Sequence, residues 1–130
     1  MKPNILFITF DSLRSDKFFG KDKTAVTPNI DSIINNGVYF TQTIASTDST
    51  ILALNSIFNA TFPFDTGVRI WKIILQDKNY IQFLKKQNYN IYGLIPDLTS
   101  FSSLSNMFEN DDKTFHALPP YAINPLISNG

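Results

Sequence analysis

The strongest constraint on this chain is the short run Ile5-Leu6-Phe7-Ile8-Thr9-Phe10, which ends at Asp11 and passes into the polar stretch Ser12-Leu13-Arg14-Ser15-Asp16. A continuous apolar run of this length suits a central strand buried on both faces, the kind found in parallel sheets covered by helices. Six residues are too few for a signal-peptide core or a membrane span. With neither segment present, a cytoplasmic chain is expected.

Beyond that run, strand-like and helix-like segments alternate. Thr27-Pro28 opens a helix, with Thr27 suited to the N-cap and Pro28 to the first helical position, and Gly37 suits a left-handed C′ position at its end. Ile30, Ile33 and Ile34 form its inward stripe. Val38 to Ala45 reads as a second strand. A helix from Thr50 to about Asn59 follows, with Ile51, Leu54, Ile57 and Phe58 at helical spacing. Ile70 to Leu75 fits either a strand or a buried helix. Asn79 caps a helix over Tyr80 to Gln87, with Ile81, Phe83 and Leu84 inward and Asn88 at its end. Tyr89 to Ile95 reads as a third strand closed by Pro96-Asp97, and a short helix around Phe101 to Phe108 comes next. The order βαβα predicts an α/β domain over residues 1–130, a mostly parallel sheet with helices on both faces.

Charge and cysteine content remove several function classes. Eleven basic residues balance eleven acidic ones, so no basic surface argues for nucleic acid. The chain has no cysteine, which excludes disulfides, thiolate metal sites and a cysteine nucleophile.

In open parallel sheets, ligands bind beyond the carboxyl ends of the strands. Asp11 ends the first strand there and Thr50 opens the helix after the second, so the two are expected close together at one sheet edge. A helix start offers free N–H groups and partial positive charge to a phosphate or sulfate. A neighbouring carboxylate could hold a divalent cation. Taken singly, Asp11 is a loop or capping residue and Thr50 an ordinary helix start. Asp16 and Asp48 read as solvated loop carboxylates, and His116, the single histidine, lies in a polar tail.

Read together, the segments carry a resemblance. Lys2-Pro3-Asn4-Ile5-Leu6-Phe7-Ile8-Thr9-Phe10-Asp11-Ser12-Leu13-Arg14-Ser15-Asp16 resembles the opening of sulfatases of the alkaline phosphatase superfamily, RPNILLIxxDxLRxD. Thr27-Pro28-Asn29-Ile30-Asp31 with Gly37-Val38-Tyr39-Phe40-Thr41 resembles the next block, TPNLDxLAxxGVxF. Asp48-Ser49-Thr50-Ile51-Leu52-Ala53-Leu54 resembles the nucleophile block, and Phe62-Pro63 with Gly67-Val68 its closing YPxxxGV. Phe83-Leu84-Lys85-Lys86-Gln87-Asn88-Tyr89 resembles the LLKxxGY segment. The likeness is in register over residues 2 to 95.

The resemblance implies an alkaline-phosphatase-like fold, here an incomplete N-terminal part. It implies Asp11 as a metal ligand and Thr50 as the catalytic nucleophile, itself also bound to the metal. The cofactor implied is Zn, Mn, Ca or Mg, held weakly if at all by this stretch. The implied function is a hydrolase or transferase acting on anionic phosphate, phosphonate or sulfate esters, completed by a C-terminal part of the same enzyme. Departures qualify this. The sulfatase frame CxPxR reads Thr50-Ile51-Leu52-Ala53-Leu54, and threonine cannot be oxidised to formylglycine, so phosphoryl chemistry fits better than sulfate hydrolysis. Ser12 stands where the family has a second aspartate, and Gly93-Leu94-Ile95-Pro96-Asp97 lacks the lysine and histidine of GKWH. A catalytically degenerate relative serving as a binding or interaction module is the alternative. An unrelated doubly wound nucleotide-binding domain is a third reading, with no glycine-rich loop to support it.

Overall fold

A computed structural model describes residues 2–68 and 72–116, which fall into two compact units, residues 1–44 and residues 45–130.

The first unit holds two helices, α1 (Ser15–Phe18) and α2 (Pro28–Asn36). Helix α2 begins as its sequence dictates, with Thr27 at the N-cap and Pro28 in the first turn. The Thr27 hydroxyl, however, donates to Asp31 Oδ1 at 3.2 Å rather than accepting a backbone N–H. Lys23 Nζ reaches the same carboxylate at 2.6 Å. Gly37 ends the helix in extended geometry, φ −127°, not the expected left-handed one. Glycine is needed there for a different reason: a Cβ would stand 2.9 Å from the Ile33 carbonyl oxygen. Ile30 and Ile34 are half-buried, while Ile33 stays exposed. Phe19 and Tyr39 meet with ring centroids 4.2 Å apart.

Neither expected strand of this unit forms. Residues 5–10 and 38–45 pair in no sheet among the described residues, and Leu6 and Val38 are 84% and 81% exposed. An apolar strand is buried only when ladders flank it and helices cover it, and here no such ladder forms.

The second unit is built around Leu54, Ile73, Ile81 and Leu104, with Ile51, Phe58, Leu75, Ile91, Ile95, Phe101, Met107 and Phe108 packed on them. Burying each large aliphatic side chain contributes roughly 1.5–3 kcal/mol. Helix α3 (Thr50–Asn59) spans the predicted residues and ends at Ala60 in the left-handed region, whose N–H donates to the Ser56 carbonyl. Helix α4 (Pro63–Thr66) follows Phe62 and stops at Gly67, φ +65°. Helix α5 (Tyr80–Lys86) is capped by Asn79, whose Oδ1 accepts from Gln82 N–H at 2.9 Å. Ile81 is buried as expected, whereas Phe83 points outward. Strand β1 (Ile95–Pro96) comes next, then a 3-10 turn (Thr99–Phe101), helix α6 (Ser102–Ser105) and strand β2 (Thr114–Phe115).

The two strands pair in parallel, Ile95 opposite Thr114, with Ile95 N–H donating to the Lys113 carbonyl at 3.0 Å and Asp97 N–H to the Phe115 carbonyl at 2.8 Å. Parallel neighbours need a crossover, and α6 with its 3-10 turn supplies it. Among the described residues the parallel sheet consists of these two short strands, and the larger sheet with helices on both faces that the sequence predicts is not formed by them. The predicted third strand contracts to Ile95–Pro96, and β2 at Thr114–Phe115 lies beyond the last element the sequence pattern predicts.

Residues 72–76 resolve the ambiguity at Ile70 to Leu75 as far as they are described; residues 70 and 71 lie outside the described residues. Residues 72–76 are neither helix nor paired strand. Their backbone is satisfied by side chains instead. Asn55 Nδ2 donates to the Lys72 carbonyl at 3.1 Å, and Ile74 N–H donates to Asn55 Oδ1 at 2.8 Å. One turn on, Asn59 Nδ2 donates to the Ile74 carbonyl at 2.9 Å and Gln76 N–H to Asn59 Oδ1 at 2.8 Å. Ile73 N–H donates to the Ser100 carbonyl at 2.9 Å, and the Ser103 hydroxyl donates to the Ile73 carbonyl. Buried backbone polar groups need partners, and here two helical asparagines act as the neighbouring strand.

Candidate functional site

Asp11 lies in the first unit, in a turn with Ser12, and is exposed. Ser12 takes the left-handed conformation, φ +58°, so the chain reverses just past Asp11. Arg14 then forks onto Asp16: Nε to Oδ1 at 3.0 Å and Nη2 to Oδ2 at 2.9 Å. Lys17 Nζ adds a looser contact at 3.6 Å. The hydrogen bond from Arg14 holds the Asp16 carboxyl below the usual carboxylate range, and the partnership raises Arg14 in turn. Asp16 is thus a solvent-exposed but ion-paired residue of α1 rather than an unpartnered loop carboxylate.

Thr50 lies in the second unit, as the first residue of α3, and is exposed. The preceding loop is tied locally: Ser49 N–H donates to Thr47 Oγ1 at 3.4 Å, and the Thr47 hydroxyl donates to Asp48 Oδ1 at 3.3 Å. Ala53 N–H donates to the Ser49 carbonyl at 2.8 Å, closing the first turn. Ser49, the N-cap, makes no side-chain cap. Asp11 belongs to the first unit and Thr50 to the second.

The frame after Thr50 has a structural use. Leu54, at the position of the frame arginine, is a core residue. A charged side chain there would be buried among apolar neighbours without a partner, a costly arrangement. Asn55 and Asn59 belong to no motif that marks them in the sequence. Their signal is positional: with Ile51, Leu54 and Phe58 they complete the inward i, i+3, i+4, i+7, i+8 face of α3, where a polar residue must find partners.

Among the described residues no cluster of three or more His, Asp or Glu side chains could hold a cation. His116 is exposed beside β2. A shallow depression of about 360 Å³ is lined by Ala60, Tyr80, Phe83 and Lys86 among others, toward the end of α3 opposite Thr50. Among the described residues no helix is long and apolar enough to cross a membrane.

No curated protein and no solved structure matches the chain. The sulfatase family model matches residues 3–123, a span that takes in both Asp11 and Thr50. That span covers nearly the whole sequence, and the chain belongs to the sulfatase family, with the α/β, alkaline-phosphatase-like fold that membership implies.

Proposed function

We propose that the chain contributes Asp11 and Thr50 to a metal-dependent hydrolase or transferase acting on anionic esters, phosphate or phosphonate esters ahead of sulfate esters. The observation that carries this is Thr50 itself: within a span matched to the sulfatase family, it is the first residue of a ten-residue helix, exposed to solvent. A hydroxyl at that place can attack a phosphorus centre, with first-turn N–H groups and the helix dipole favouring the anionic oxygens. Threonine cannot become formylglycine, which weighs against sulfate-ester hydrolysis by that route.

Members of this family are generally metal-dependent. The described residues do not by themselves fit a resident cation, since one carboxylate is poor coordination for an ion that takes about six oxygen ligands. Asp11 is proposed as one ligand of a larger set, and no reaction step is assigned through the metal. We further propose that residues 1–130 form the amino-terminal share of the active site, the remaining donors and the strands flanking residues 5–10 coming from other sequence of the same fold. The exposed apolar runs at residues 5–10 and 38–44 support this.

The test isolates the protein at its native length and assays it with aryl phosphate, phosphonate and sulfate esters and divalent cations. Phosphate esters are expected to turn over fastest, Thr50→Ala to abolish turnover, and residues 1–130 alone to show none. Turnover that survives Thr50→Ala removes the nucleophile, and turnover by residues 1–130 alone removes the shared site.

A further inference from the structure

Asn55 and Asn59 are 2% and 6% exposed, and the Asn55 amide is fully engaged. Its two N–H groups go to the carbonyls of Ile51 and Lys72, at 3.0 and 3.1 Å, while its oxygen accepts from Ile74 N–H. Asn59 repeats the grip one turn later on Ile74 and Gln76. Leucine at either place would cover the core without the desolvation cost of a primary amide. What an apolar contact does not supply is register. A ridge of leucines tolerates small rotations and slides, whereas a directional amide on a backbone N–H and C=O tolerates neither. Buried polar residues are best attested in this role, fixing one alignment among several of similar packing energy.

We propose that Asn55 and Asn59 are positioning residues for Thr50. Gripping residues 72–76, they fix the rotation and axial position of α3, and with it the direction of the Thr50 hydroxyl and the first-turn N–H groups. Asn55 extends the grip into that turn through Ile51, the residue after Thr50. The significance of this arrangement rests on Thr50 being the nucleophile; the positioning itself does not.

Because the chain has no cysteine, Thr50→Cys introduces a unique thiol at the position in question. Its rate of alkylation by iodoacetamide against pH reports the thiol pKa, which a helix start lowers from about 8.5. Combining it with Asn59→Ala, more than two turns away, or with Asn55→Ala should raise that pKa by about half a unit, about threefold in thiolate at neutral pH. Amide exchange of Gln76 and Ile74, respectively, should accelerate in the same variants. Leu104→Ala weakens the same core without touching the grip, and should leave the thiol titration where it was. An unchanged titration in both asparagine variants overturns the proposal, as does an equal shift in Leu104→Ala. Should an alanine variant fail to fold, Asn59→Ser carries the comparison. None of these readouts needs turnover, so failure of Thr50 as nucleophile, read from Thr50→Ala activity, stays distinguishable.

Discussion

Asn110 pairs with Gly93 as a residue on an adjacent strand would. Its Oδ1 accepts from Gly93 N–H and its Nδ2 donates to the Gly93 carbonyl, both at 2.9 Å. The Phe108 ring lies directly over Gly93, where a Cβ would run into it. Gly93→Ala is therefore expected to destabilise the protein by about 1–3 kcal/mol through overpacking. Phe108→Leu should relieve part of that loss, so urea unfolding of the two single variants and the double should show clear non-additivity. Asn110→Asp should also destabilise, because a carboxylate cannot donate to the Gly93 carbonyl.

Asn79 serves two elements at once, accepting from Gln82 N–H and donating to the Gln76 carbonyl at 2.6 Å. Asn79→Ala is expected to cost about 1 kcal/mol or more, the usual effect of losing a cap. Asn79→Asp keeps the acceptor beside the helix start and should retain most of the cap while losing the bond to Gln76. Thermal melts of the three proteins would rank them Asn, Asp, Ala.

These two asparagines differ in how far the sequence reveals them. Asn79 stands just ahead of a helical apolar pattern, so its capping role is local and readable. Asn110 acts across 17 residues on a glycine, and nothing near it in sequence marks the pairing. The same divide runs through the rest of the chain. Helix α3 was legible because Ile51, Leu54 and Phe58 repeat at helical spacing within ten residues. The apolar run at residues 5–10 has the composition of a buried strand, but burial depends on distant ladders that no short window contains. For the candidate site, motif singles out Asp11 and Thr50; the helix begins at Thr50 as its sequence pattern predicts, whereas no strand ends at Asp11. The grip of Asn55 and Asn59 is not legible in the sequence, because a polar residue on an inward face reveals that it needs partners without naming them.

Asp16 and Asp31 both titrate below the ordinary aspartate value, Asp16 chiefly through Arg14 and Asp31 chiefly through Lys23. A carboxyl with a depressed folded pKa lends stability above its unfolded value of about 3.9, and that contribution is lost as pH falls through the folded value. Unfolding measured from pH 5 downward should show this loss, with Asp31→Asn flattening the profile. Both pairs are solvent-exposed, so raised salt should weaken the effect. NMR titration of the Asp16 carboxyl should show a return toward the ordinary value in Arg14→Gln.

Residues 1–130 are expected to bind divalent cations weakly. Calorimetric titration with Zn²⁺, Mn²⁺ and Ca²⁺ should give affinities weaker than micromolar, and Asp11→Asn should weaken them further. A stoichiometric site of micromolar affinity or better, lost in Asp11→Asn, would reveal ligands that act together with Asp11.

The asparagine grip also bears on when this half of the chain takes shape. Its contacts span 15 to 19 residues, and loops on this scale close in well under a microsecond, on the order of 100 ns for ten residues. Ribosomes add about 5–20 residues per second, so Gln76 follows Asn59 by roughly a second. Helix α3 can therefore meet its backbone partner almost as soon as that segment emerges, long before β2 exists to pair with β1. The helix bearing Thr50 and the segment it grips are thus both available to each other before β2 is made.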